Sequence, residues 1–186
     1  MNRLSVLVVG LSIVAVGCGG ESSPLAPSQG TTTTSTFTVP LSSANESPAI
    51  TNADAGSTGT AIIALTITKD DSGTVTSAIA NFQISVRGFP PGTTVTDAHI
   101  HNGAAGSNAG VYVNTALASG EMAISNGSGS ITKNGINVPA DRAAAILSNP
   151  AGHYFNVHTA LNPAGAIRGQ LAGGGASFDP GTAVPY

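Results

Sequence analysis

Apolar and polar residues alternate along two stretches in the first half of the chain. Ala61, Ile63, Leu65 and Ile67 share one parity, with Thr60, Thr66 and Thr68 on the other. Ala78, Ala80, Phe82, Ile84 and Val86 repeat the pattern opposite Asn81, Gln83, Ser85 and Arg87. Successive strand side chains point to opposite faces, so this period predicts strands with one buried face. The polar run Lys69-Asp70-Asp71-Ser72-Gly73 between them predicts a turn, and the pair an antiparallel hairpin. Phe89-Pro90-Pro91-Gly92 closes the second strand, because proline cannot donate to a ladder. Shorter strands are predicted near 96–101, 110–114, 121–125, 129–133, 153–159 and 166–171. Asn102-Gly103, Asn126-Gly127 and Asn134-Gly135 supply turn chemistry. One helix is predicted from Ala140 to Leu147, opened by Pro139 and stopped by Asn149-Pro150. Many short strands with turns between them predict an all-β domain, a sandwich or a partly open barrel.

Composition agrees. Only 8% of the 186 residues are charged and 4% are aromatic, while there are 24 Gly and 11 Pro. Six Lys+Arg against nine Asp+Glu leave no basic stripe, which argues against nucleic acid as a partner.

The ends of the chain read differently from its middle. Arg3 precedes an apolar run from Leu4 to Val16, and Gly17-Cys18-Gly19-Gly20 follows. This order describes an export signal, and the run is too short for a membrane span. Ala15-Val16-Gly17-Cys18 resembles the lipobox of bacterial lipoproteins, with Ala where Leu is usual. The resemblance implies a signal peptide over 1–17, cleavage before Cys18 and lipidation of its thiol. Cys18 is the single cysteine, so the exported product has no disulfide. The protein is therefore expected to meet a membrane through a lipid anchor at Cys18. Gly19, where Asp often signals inner-membrane retention, leans toward the outer membrane or cell surface. Residues 18–35 read as a Ser/Thr/Gly/Pro tether, 36–172 as the folded domain and 173–186 as a loose tail.

Three of the four histidines share a predicted face. In Asp97-Ala98-His99-Ile100-His101 the two histidines point the same way and Ile100 the other. In Tyr154-Phe155-Asn156-Val157-His158 the apolar pair faces inward, while Tyr154, Asn156 and His158 line the polar side. If these strands are neighbours, His99, His101 and His158 converge, and three imidazoles with an open position suit Cu or Zn. The alternative is a hydrogen-bonded polar cluster that holds loop 102–110. Asp97 shares the face of the histidine pair, either orienting a histidine or simply solvated, and His153 is expected to face away. Glu46 and Arg168 are lone opposite charges in uncharged surroundings and suggest an ion pair. No nucleophile elbow, phosphate loop or glycosidase carboxylate pair is legible.

The chain resembles the CHRD domain, first named from chordin, from about Val39 to Leu171. The resemblance rests on Asn45-Glu46-Ser47-Pro48, on Ala98-His99-Ile100-His101-Asn102-Gly103 and on Gly110-Val111-Tyr112-Val113. It continues through Tyr154-Phe155-Asn156-Val157-His158-Thr159 and Asn162-Pro163-Ala164-Gly165-Ala166-Ile167-Arg168-Gly169-Gln170-Leu171. Ala166 stands where that family often has Glu. The resemblance implies an extracytoplasmic antiparallel β-sandwich, immunoglobulin-like or superoxide-dismutase-like, and implies no activity. The outward His-x-His is locally similar to Cu/Zn superoxide dismutases, without counterparts for their zinc and bridging ligands. Three functions remain open: a binding module with a protein or glycan partner at the cell surface, a metal-dependent redox or hydrolytic enzyme, and a structural surface protein. The binding module is the leading expectation.

Overall fold

The computed structural model of the protein describes residues 30–171 and the backbone of 175–178. The proposed signal peptide, Cys18 and most of the tether lie outside the described residues, as does most of the tail.

The alternating pattern produces the expected hairpin. Strand β2 (Thr58–Lys69) pairs antiparallel with β3 (Val75–Arg87) from Thr58↔Arg87 to Lys69↔Val75. Its turn is held by Asp70, whose carboxylate accepts from the backbone N–H groups of Ser72 and Thr74. The strand before it, β1 (Thr31–Ser42), pairs with β2 along its whole length. It starts ahead of residue 36, where the folded domain is expected to begin. The stretch Thr31–Ser35 lacks apolar periodicity, yet β-branched threonine suits a pleated surface. The Thr34 and Thr66 hydroxyls meet at 2.8 Å across the ladder.

The remaining strands are β4 (Val95–His101), β5 (Val111–Asn114), β6 (Ser128–Asn137), β7 (Tyr154–Thr159), β8 (Ile167–Gln170) and β9 (Gly175–Phe178). They complete one sheet in the order β5-β4-β7-β8-β1-β2-β3-β6, with β9 also on β1. Within the expected loose tail, Gly175–Phe178 pairs with Thr34 and Thr36 of β1. A single pair, Ser42↔Arg168, joins the two halves of the sheet. The sheet curls so that the halves face each other in sandwich fashion, and the Phe82 and Phe155 rings stack between them at 5.9 Å. Inward residues from both halves form one core, including Phe37, Val39, Ile63, Ile84, Ile100, Val157 and Ile167. Helix α1 (Ala140–Ser148) adds Ala143 and Ile146 to it.

Two local expectations fail for physical reasons. Residues 121–125 form no strand. Met122 turns into the core, and the only bridge there is Ser125↔Ser128 around the Asn126-Gly127 turn. Both turn residues have positive φ, 49° and 76°, as a tight hairpin turn requires. Asn134-Gly135 is no strand end either. It lies within β6, where the register with β3 shifts and the Gly135 N–H bonds the Asn81 side chain, as at a β-bulge.

Phe155 is fully buried at the meeting of the halves. Phe155→Ala is expected to lower unfolding free energy by about 3–5 kcal/mol, the range for large aromatic truncations in cores. Urea unfolding of the two proteins, followed by circular dichroism, checks this.

Candidate metal centre

Strand pairing builds the site. Strands β4 and β7 are antiparallel neighbours, with Asp97 opposite His158, His99 opposite Asn156 and His101 opposite Tyr154. Strand β8 follows on the other side of β7, with Arg168 opposite Asn156 and Gln170 opposite Tyr154. Ala98, Ile100, Phe155 and Val157 face the core, so the alternate residues share the outer face. That face is not solvated. Loop 102–110, the segment after β1 and the turn after β7 cover it, leaving His99, His101 and His158 only 7%, 5% and 7% exposed.

The three histidines converge because the β4–β7 ladder makes their two strands neighbours. One ring nitrogen from each lies within 4.8 Å of the others. Each ring also has an outer acceptor that decides its tautomer. His101 Nδ1 donates to Ala109 O at 2.9 Å, and His158 Nδ1 donates to Pro163 O at 3.1 Å. His99 Nε2 donates to the Asp97 carboxylate at 2.8 Å. Carbonyls and carboxylates only accept, so the lone pairs sit on His99 Nδ1, His101 Nε2 and His158 Nε2. Two of these, His99 Nδ1 and His158 Nε2, stand 3.3 Å apart. His101 Nε2 has no hydrogen-bond partner among the described residues. Lone pairs facing at that distance repel unless a cation or proton lies between them. Two nitrogens bound at about 2.0–2.1 Å to one tetrahedral Zn²⁺ stand about 3.3 Å apart.

Burial favours the metal-binding form. Desolvation is the largest influence on all three imidazoles and pushes their pKa values below the usual histidine range. Asp97 opposes this at His99, and the carbonyls oppose it at His101 and His158. The rings are therefore neutral near pH 7, as ligands must be.

The surrounding residues hold the rings in place. Tyr154 stacks on His101 at 4.7 Å, and the Arg168 guanidinium lies 4.8 Å from the Tyr154 ring centroid. Tyr154 accepts from the Ala109 N–H, and Arg168 donates to Ser107 O and to the Asn108 side chain. Loop 102–110 is thus pinned by the polar cluster, which is the alternative role expected for it. Both roles use the same contacts: an outer carbonyl orients His101 and ties the loop. Asp54, buried under the turn after β7, accepts from Thr159 and Asn162 at 2.7 and 2.6 Å. This network fixes the turn that presents Pro163 O to His158, and the alternation of β7 gives no sign of it.

Glu46 and Arg168 do meet, as their isolation in sequence suggested. Arg168 Nε stands 3.7 Å from Glu46 Oε2, beyond hydrogen-bond reach, and both side chains are buried. Desolvation raises the Glu46 pKa to about 7 against the lowering effects of Arg168 and Asn156. His153 lies apart, as expected. Its Nδ1 donates to Asn149 O and its ring packs against Tyr112.

The fold and site define the chain as an antiparallel β module in which, among the described residues, His99, His101 and His158 form a buried cluster spaced to hold a metal ion. It belongs to the CHRD domain family, whose model matches residues 37–171. No curated protein and no solved structure matches the chain.

Proposed function

We propose that this chain is a lipid-anchored extracytoplasmic binding module that holds one Cu or Zn ion through His99, His101 and His158. The observation that carries the metal reading is convergence: three buried imidazoles, each with its outer nitrogen bonded to a carbonyl or carboxylate, bring their other ring nitrogens within 4.8 Å of one another. Metal-ligating histidines are oriented in this way by carboxylates and carbonyls. Membership of the CHRD family suggests an extracellular setting. The segment Ala15-Val16-Gly17-Cys18 supports anchoring through Cys18 at the outer membrane or cell surface. No helix among the described residues is long and apolar enough to cross a membrane.

Zn²⁺ or Cu²⁺ calorimetry on the full chain, without a His tag, tests the reading. One equivalent should bind at micromolar affinity or better. His99→Ala/His158→Ala should abolish it. Asp97→Asn should lower affinity about 10–100-fold, the usual effect of losing an outer carboxylate. A folded wild-type chain that takes up no metal leaves the cluster as a loop anchor, and the search then turns to protein or glycan partners. Glu46, a buried carboxyl that titrates near neutrality, favours the enzyme as the second reading. Turnover of a redox or hydrolytic substrate by the metal-loaded chain distinguishes it from a binding module.

A further inference from the structure

We propose that the cleft between residues 46–50 and 161–165 admits a water-sized protic oxygen ligand to the three-histidine centre, where Asn156, Arg168 and Glu46 hold it. The inference rests on the metal reading above and assigns the position that three imidazoles leave open.

The strand grid places the holding groups. Asn156 sits between His99 on β4 and Arg168 on β8, and between Tyr154 and His158 along β7. Three buried polar atoms in this layer have no partner among the described residues: Asn156 Oδ1, Arg168 Nη2 and Glu46 Oε1. Burial has stripped these groups of water, so each is destabilising unless a guest pairs with it. A buried water makes about three hydrogen bonds to groups of this kind. Nη2 can only donate and Asn156 Oδ1 can only accept, so the guest must both accept and donate. Water and hydroxide satisfy that pattern. A halide does not.

The cleft supplies an approach. It measures about 180 Å³, and its walls include Glu46, Pro48, Leu161, Pro163 and Gly165. Three of these belong to the centre's surroundings. Pro163 O bonds His158, and Glu46 faces Arg168. Gly165, at φ 135°, packs its bare Cα against the Asn156 amide, where a Cβ would collide. Glu46 also matches the chemistry of the guest. Metal-bound water on zinc ionises near pH 7, and the Glu46 pKa is about 7. With an ion held by the three histidines, the metal would acidify a water bound there, and Glu46 would be the carboxylate placed to take its proton.

Bulk-water proton relaxation by the Cu²⁺-loaded full chain tests the proposal, because only an exchanging water on the metal raises it strongly. Copper content is measured first. With one equivalent bound, wild-type relaxivity should fall at least twofold when azide is added to saturation. Ala164→Trp, an exposed change at the cleft wall, should start near the lower value with its copper retained. Full copper occupancy with a relaxivity that azide leaves unchanged would overturn the proposal while the metal reading stands. Ala164→Trp with wild-type relaxivity would overturn the route. A wild-type chain that binds no copper would remove the metal reading and this inference together.

Discussion

Zinc at a thousandfold excess over its dissociation constant is expected to raise the melting temperature of the chain by about 8–16 °C. A ligand bound only by the folded state at that excess adds about 4 kcal/mol. For a domain of this size each kcal/mol moves the midpoint by about 2–4 °C. The effect should be this direct because the site is already assembled. His99 and His101 project from one strand, His158 from its neighbour, and their outer nitrogens are held by Asp97, Ala109 and Pro163. Little ordering remains to be done when the ion arrives. The ion also relieves the repulsion between His99 Nδ1 and His158 Nε2, which face each other at 3.3 Å. Scanning calorimetry with zinc and with a chelator reads the shift. His99→Ala/His158→Ala should melt at the same temperature in both conditions. A shift retained in that variant would place the zinc elsewhere on the chain.

The parity of side chains made much of this site legible. A strand with His99 and His101 on one face and Ile100 on the other admits few alternatives, and the same holds for Tyr154, Asn156 and His158 around Phe155 and Val157. Whether the two faces meet depends on strand adjacency, which no local pattern encodes. The β4–β7 ladder supplies it between segments 59 residues apart, the separation of His99 and His158. The cover over the site was less legible. Glu46 arrives from the short 3-10 turn Ser43–Asn45 after β1, and only its isolation as a charge hinted at a partner. The hydrogen bonds of Ala109 and Pro163 are made by backbone carbonyls, which carry no side-chain signature. At the edges of the fold, Thr31–Ser35 read as tether because both parities are polar. Pairing with Leu65–Lys69 nevertheless makes a strand of it, since the partner supplies the apolar face.

Replacing Glu46 with Gln is expected to change how stability depends on pH, by about 3 kcal/mol between pH 4.5 and 8 in metal-free protein. Burial raises the Glu46 pKa from 4.5 to about 7, outweighing Arg168 and Asn156. Between those values the folded chain keeps a proton that the unfolded chain releases. Stability from this group is therefore complete below pH 4.5 and is lost as pH rises through 7. Each pKa unit corresponds to about 1.4 kcal/mol. The three histidines act in the opposite sense. Their folded pKa values lie below 6.5, so their contribution is present above that pH and is lost on acidification. In the wild-type chain the two slopes oppose each other below pH 6.5. Glu46→Gln removes one of them. The variant should gain on the wild type as pH rises from 4.5 to 8, and its own profile should show the histidine slope alone. Arg168 retains its bonds to Asn45 O, Ser107 O and Asn108 in the variant, so the cover over the site stays in place. Urea unfolding at half-unit pH intervals, with a chelator present, measures both curves. Parallel profiles would mean that Glu46 ionises in the folded chain as it does in water, with Arg168 and Asn156 offsetting its burial.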